Sequence, residues 1–308
     1  MRKMKQESLL CAIAVCAVAL LAVSRANAEE PGHPASVVFY SVRDAHTNKQ
    51  IYVMNPDGSN QVRITHDGFS DVDPDMSPNG HRIVFTSNQT GAGDNDIFLL
   101  DRRGVRDLTN NPADDEWARF SPNGREIVLG SNRDSGVYEI YVLNIRTGVT
   151  RQLTAPPVLS RYPSWSPDGE QIVFRHGNDI AVASADGSGT PVPLTQETGT
   201  HFAQMPVFSP DGRYIAFMSI REGYCSVFRM DADGNNQINL TPLDPSVSAS
   251  AWCSRAPAWS ADGQQIYFMS SRTGQNQVYV INADGSNVRQ LTSDGISGSP
   301  RARLAENE

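Results

Sequence analysis

Residues 163–174 read PSWSPDGEQIVF, and residues 206–217 read PVFSPDGRYIAF. This recurrence decides the fold. The serine of the shared motif occurs at Ser77 (MSPNG), Ser121 (FSPNG), Ser166 (WSPDG), Ser209 (FSPDG) and Ser260 (WSADG), at spacings of 44, 45, 43 and 51 residues. A second marker, a Leu-Thr or Ile-Thr step, recurs six times, at Thr65, Thr109, Thr154, Thr195, Thr241 and Thr292. Between the markers lie two alternating apolar runs, of the kind seen in QIVF (residues 171–174) and IYVL (residues 140–143).

Each unit therefore reads as four short strands. The first ends at the residue before the marker serine. The Pro-Asp/Asn-Gly turn then reverses the chain, proline presetting φ and glycine accepting positive φ. The third strand ends in a second Asp-Gly turn, as in NPDGSN (55–60) and NADGSN (282–287), and the fourth carries the Leu-Thr step. A four-stranded unit repeating every 40–50 residues or so is a propeller blade. The unit at the N-terminal end has no first strand of its own. The segment SGSPRARL (297–304) can supply it, because Pro300 aligns with Pro74, Pro163, Pro206 and Pro257. The reading is an all-β, six-bladed β-propeller of four-stranded antiparallel blades, closed when the C-terminal strand joins the N-terminal blade. Such closure pairs the open inner edge of the N-terminal blade.

Outside the repeat, MRKMKQES, the apolar run LLCAIAVCAVALLAV and the Ala26-Asn27-Ala28 step have the layout of a cleaved secretory signal over residues 1–28. The expected organisation is that leader followed by a single propeller over residues 29–308, periplasmic or secreted, with no membrane span after cleavage. The whole chain has 26 basic and 34 acidic residues; without Arg2, Lys3, Lys5, Arg25 and Glu7 it retains 22 and 33, a net charge of −11. That charge argues against a nucleic-acid partner, since phosphate binding needs clustered cations. Two cysteines, Cys225 and Cys253, follow the leader, and in an oxidising compartment such a pair is a disulfide candidate. Cys253 lies in the longest loop, between the fifth and sixth blades, and Cys225 at the start of the fifth blade's third strand, which places both at one face. The bond would be worth roughly 3 kcal/mol in the chain-entropy model.

The pattern aromatic-Ser-Pro-Asp-Gly, then an I-x-F strand, then I-Y-V-x-N-x-D-G-S-N and Leu-Thr resembles the repeat of the TolB family of propellers. The resemblance runs over nearly the whole chain after the leader. It implies a periplasmic protein of the cell envelope, of the Tol–Pal kind, that binds a peptidoglycan-associated lipoprotein or a similar envelope protein through its propeller. It differs from the family's namesake in having only a few residues between Ala28 and the first strand, where TolB carries an additional α/β domain. Similar repeats occur in prolyl oligopeptidase-like peptidases and oligogalacturonate lyases.

A binding site is expected where the repeat breaks its own symmetry. Five residues before each marker stand Val72, Glu116, Arg161, Gln204, Arg255 and Gly298, and one residue earlier Asp71, Asp115, Ser160, Ala203, Ser254 and Ser297. These open the first strands at one rim of the channel, and Trp117, Tyr162, Phe202 and Trp252 join them. The site expected there is Glu116, Arg161, Gln204 and Arg255 as polar contacts, with Trp117, Tyr162 and Trp252 as anchors, since arginine and large aromatics dominate binding hot spots. The repeated aromatics Phe120, Trp165, Phe208 and Trp259 read instead as packing between blades.

Catalytic readings find less support. DVDPDMSPNG (71–80) begins like a calcium loop, but Met76 and Arg82 stand where glycine and glutamate are needed. GISGS (295–299) is not a Gly-x-Ser-x-Gly elbow. His33, His46, His66, His81, His176 and His201 fall in different blades and loops. The expectation is a monomeric, non-catalytic interaction module with no cofactor or metal. The alternative is a carbohydrate-active or metal-dependent enzyme, lyase or lactonase-like, that uses the channel mouth.

Overall fold

The marker threonines show how each blade is held. In a computed structural model of the protein, which describes residues 36–43, 47–90, 94–244 and 252–303, all six threonines make the same bond. The backbone N–H groups of Ile51, Ile97, Ile140, Ile180, Val227 and Val278 donate to the hydroxyls of Thr65, Thr109, Thr154, Thr195, Thr241 and Thr292 at 2.9–3.0 Å. Five of those hydroxyls donate onward to a polar side chain that opens the third strand: Gln50, Asp96, Glu139, Asp179 and Gln277. Each lock pins the third strand to the step after the fourth.

The strands assemble in six sheets of four. The first blade comprises β1 (Val37–Val42), β2 (Gln50–Met54) and β3 (Val62–Arg63). The second is β4 (Asp71–Met76), β5 (Ile83–Ser87), β6 (Asp96–Asp101) and β7 (Gly104–Asp107); the third is β8 (Asp115–Phe120), β9 (Glu126–Ser131), β10 (Glu139–Asn144) and β11 (Thr150–Gln152). The fourth is β12 (Ser160–Trp165), β13 (Gln171–His176), β14 (Asp179–Ser184) and β15 (Val192–Pro193); the fifth is β16 (Ala203–Phe208), β17 (Tyr214–Ser219), β18 (Ser226–Asp231) and β19 (Ile238–Asn239). The sixth is β20 (Ser254–Trp259), β21 (Gln265–Ser270), β22 (Gln277–Asn282) and β23 (Arg289–Gln290), and β24 (Ile296–Ala302) completes the first. All neighbouring strands within a blade are antiparallel, as in Tyr141 opposite Leu129. The expected leader lies outside the described residues, as do residues 245–251 of the loop between the fifth and sixth blades.

Closure takes the expected form. β24 pairs with β1 with Val37 opposite Ala302 and Ser41 opposite Ser297. Just past β24, the Arg303 amide donates to Ser36 O at 3.0 Å and its Nε to Pro78 O at 2.8 Å, tying the end of the chain to the second blade as well.

The residue before each marker serine packs against the preceding blade. Phe120 packs with Val84 and Ile97, Trp165 with Val128 and Ile140, Phe208 with Val173 and Ile180, and Trp259 with Ala216 and Val227. Met76 and Ala302 occupy the same place in the two remaining blades. The two tryptophans add a bond across the gap: Trp165 Nε1 donates to Arg119 O and Trp259 Nε1 to Val207 O, each at 3.2 Å. The marker serine receives the amide that ends its own turn, as with Gln171 N to Ser166 Oγ at 2.9 Å.

Thr154→Val keeps the shape of its side chain but leaves the Glu139 carboxylate and the Ile140 amide without their shared partner. Unfolding in denaturant is expected to show a loss of about 1–3 kcal/mol, with Thr154→Ser recovering most of it.

Candidate functional site

Each inner strand carries the same irregularity. Asp73, Trp117, Tyr162, Met205, Ala256 and Ser299, four residues before the marker position, have φ of +47° to +58°. Pairing with the neighbouring strand shifts register there, for example between Glu116 and Arg119 and between Arg161 and Ser164. Left-handed backbone in a non-glycine residue costs roughly 1–2 kcal/mol, so six copies mark a feature of the fold. A bulge of this kind breaks the in–out alternation of a strand. Consecutive residues of the inner strand, such as Arg161 and Tyr162, thereby reach the same cluster at the channel mouth.

Four of the expected residues come together on the third and fourth blades. The Trp117 and Tyr162 rings lie 4.3 Å apart between centroids, and Trp117 and Tyr138 5.1 Å apart. The Arg161 guanidinium rests over Tyr138 at 4.4 Å and over Trp117 at 5.5 Å, cation–π contacts to both rings. Its Nε is buried with no hydrogen-bond partner. Glu116 accepts from Asn95 Nδ2 at 2.8 Å and from Tyr138 Oη at 3.0 Å. Burial raises the Glu116 carboxyl above its ordinary range, against the lowering effect of the Tyr138 bond, and Asp73 pushes the same way as burial. Trp117 is only 8% exposed, so it forms the floor of the cluster, while Arg161 and Tyr162 are half-buried and open to the mouth.

The other expected residues extend the rim or support it. Gln204 accepts from Arg175 Nη1 at 3.0 Å, and Arg175 stacks on Phe202 at 4.6 Å. Arg255 stands on the far side of the ring, near Tyr40 and the two cysteines, where its charge acts on all three. Trp252 is 7% exposed beneath the Arg272 guanidinium, which lies 4.7 Å from its ring centre. At the equivalent place in β24, Gly298 leaves room for Tyr40 and Met269: a Cβ there would sit 2.2 Å from Met269 Sδ and 2.8 Å from Tyr40 Oη.

Tyr138, Asn95, Arg175 and Tyr40 were absent from the sequence-derived site. Tyr138 and Asn95 share one place in the repeat, directly before the polar residue of the threonine lock. The series is Lys49, Asn95, Tyr138, Asn178, Cys225 and Asn276. Aligning the loops before the third strands would have shown this second broken symmetry. A further repeated feature is structural. In the Ser-x-Arg steps that end second strands, Arg43, Arg133, Arg221 and Arg272 lie over aromatic rings of their own blades.

Cys225 and Cys253 face each other across a parallel backbone bridge, and Ser254 N donates to Cys225 O at 3.0 Å. Their sulfurs are not bonded to each other in this structure, and both residues are half-buried. The neighbouring Cys253 thiol and the Arg255 charge draw the Cys225 pKa down to about 7, while the Cys225 sulfur and burial raise that of Cys253. Among the described residues no three His, Cys, Asp or Glu side chains converge as a metal-ligand set. No helix among them is long and apolar enough to cross a membrane.

Residues 92–256, more than half of the chain, match the TolB beta propeller domain. The chain belongs to the TolB β-propeller family. Among curated relatives it is 27% identical over 211 residues to the uncharacterized protein Atu1656 of Agrobacterium fabrum, covering 53% of this chain and 67% of that one. It is 30% identical over 124 residues to the uncharacterized protein YidR of Escherichia coli, covering 40% of this chain and only 29% of that protein. The crystal structure of TolB from Acinetobacter baumannii superposes with a TM-score of 0.73 at 19% identity, over 92% of this chain and 70% of the other, a likeness of fold.

Behind the rim, Asp71 is fully buried and neither carboxyl oxygen has a hydrogen-bond partner. The Thr65 and Ser87 hydroxyls stand near enough to ease its charge, but neither meets it at hydrogen-bond geometry. Burial, reinforced by Asp67, pushes its pKa up from 3.8 to about 7. The folded state therefore holds a proton that the unfolded chain releases near pH 4, and stability falls as pH rises from about 4 to 7. Asp71→Asn is expected to raise the stability at pH 8 by about 2–4 kcal/mol and to change it little near pH 4, as measured by thermal unfolding across that range.

Proposed function

We propose that the protein is a non-catalytic binding module of the periplasm that takes up a segment of another envelope protein or lipoprotein at the channel mouth. The supporting observation is the Arg161 cluster. A cation on two rings, a third ring beside it and a hydrogen-bonded carboxylate form a preorganised patch at the one rim where the blades differ. The opposite turns repeat Ser-Pro-Asp/Asn-Gly with little change. Arginine and aromatic side chains held rigid before contact lose little entropy on binding, which favours them as anchors. Membership of the TolB family supports the periplasmic setting and the protein partner.

The polar contacts of this reading are Glu116, Arg161, Gln204 and Arg255, with the half-buried Tyr162 ring beside them and Trp117 and Trp252 bracing the mouth. A pull-down from envelope extract with the mature protein as bait is expected to capture a protein that an Arg161→Glu/Arg255→Glu variant loses, at matched melting temperature. Equal capture by both, or capture by neither, contradicts the reading.

In the same compartment Cys225 and Cys253 are assigned a disulfide. The Cys225 thiolate would attack an oxidised dithiol carrier and Cys253 would then displace that carrier, the two thiols losing two protons and two electrons to it. Protein purified from the periplasm is expected to resist a thiol reagent until reduced and to melt at a lower temperature after reduction. Free thiols in the native preparation would sink the assignment.

A further inference from the structure

The second mouth of the channel lies among the Ser-Pro turns. A cavity of about 100 Å³ opens there, lined by residues of all six inner strands and therefore on the ring axis. Its walls are mostly apolar and include Phe120, Trp165 and Trp259; its polar floor is Asp75, Arg119 and Arg301.

The two arginines are unusually placed. Each is 8% exposed. Arg301 Nη1 donates to Pro257 O and Pro300 O, both at 3.0 Å, while its Nε is buried with no partner. Arg119 Nη1 donates to Ala118 O at 2.7 Å and Asp73 O at 3.2 Å. One oxygen of each nearby carboxylate is engaged elsewhere: Asp75 Oδ2 accepts the Phe120 amide at 2.8 Å, and Asp73 Oδ1 accepts Ser299 Oγ at 2.7 Å. The ion pairs of the described residues join other partners, such as Arg133 with Asp115 and Arg151 with Glu126. Burial and the neighbouring Arg119 charge push Arg301 down to about 9, against the raising effect of the Asp75 and Asp73 charges.

We infer that this cavity binds a carboxylate, seated between Arg119 and Arg301 with its apolar body against Trp165 and Trp259. Arginine presents paired N–H donors that fit a carboxylate's two oxygens, and an anion there would relieve the repulsion between the two guanidinium groups. Asp75 on the same floor disfavours a dianion. The carboxylate is that of a free organic acid or of a partner chain's C-terminus, and both present the same group. This site is at the opposite end of the channel from the rim cluster and stands or falls independently of it.

Titrations followed by tryptophan emission and by melting temperature test the inference, with benzoate against neutral benzamide and a short peptide with a free C-terminus against its amidated form. A saturable response to either acid and none to its neutral counterpart is expected. Benzoate alone assigns a free organic acid, and the peptide acid alone assigns a partner's terminus. Arg301→Gln should weaken the response roughly tenfold or more; Arg119→Gln serves as a second variant should the first not fold, and the wild-type comparison needs neither. Responses that do not distinguish acid from amide, or no saturable response to any probe, overturn the inference.

Discussion

The pairing of β24 with β1 is the constraint on which the rest depends. Each blade is a small twisted sheet with too little apolar surface to fold alone, and its core is shared with the next blade. Phe120, Trp165, Phe208 and Trp259 are buried only because a preceding blade is there to receive them. In an open row the first blade would lack its inner strand and the sixth blade would have nothing packed on its outer side. Closure supplies both at once: Ala302 enters the sixth blade's core, while its strand completes the first blade's sheet. It also fixes the channel, since the inner strands can face one axis only in a closed ring.

Within that ring, stability and specificity are carried by different positions. The threonine locks, the serine-capped turns and the interblade side chains repeat in every blade or nearly so. The left-handed bulge residues and their neighbours do not repeat in chemistry. They include Asp73, Tyr162, Met205 and Ser299 on one layer, and Glu116, Arg161, Gln204 and Arg255 on the layer above. A chain of net charge −8 nevertheless places Arg119, Arg161, Arg255 and Arg301 along its channel. Holding arginines in a confined channel is costly without partners, and the unpaired Nε atoms of Arg161 and Arg301 show that the fold does not supply them all.

The architecture was legible in the sequence because its signals are local and recur six times. Serine, proline and glycine are set by the turn, and the Leu-Thr step by the lock. Strand number, blade number, closure and the packing role of the four aromatics followed from their spacing. The rim was legible only in part. Counting back from the serine found Glu116, Trp117, Arg161 and Tyr162, which do meet. It could not find Tyr138 or Asn95, about 20 residues along the chain, because a residue before a strand carries no mark of what it faces across the blade. The burial of Trp117 and Trp252 was equally hidden: one depends on a bulge that rotates the strand, the other on an arginine from the next hairpin. The Arg119–Arg301 pair was missed because its members belong to the third and first blades, far apart in the sequence, and come to one cavity only after closure.

Native-state hydrogen exchange tests the central claim most directly. If closure by β24 holds the ring together, the amides of Ile296–Ala302 that pair with β1 should exchange only through global unfolding, at the rate of the interior strands β9 and β10. Exchange of β24 well ahead of those strands, with the other blades still protected, would show that the ring stands without its closing strand and would contradict the account.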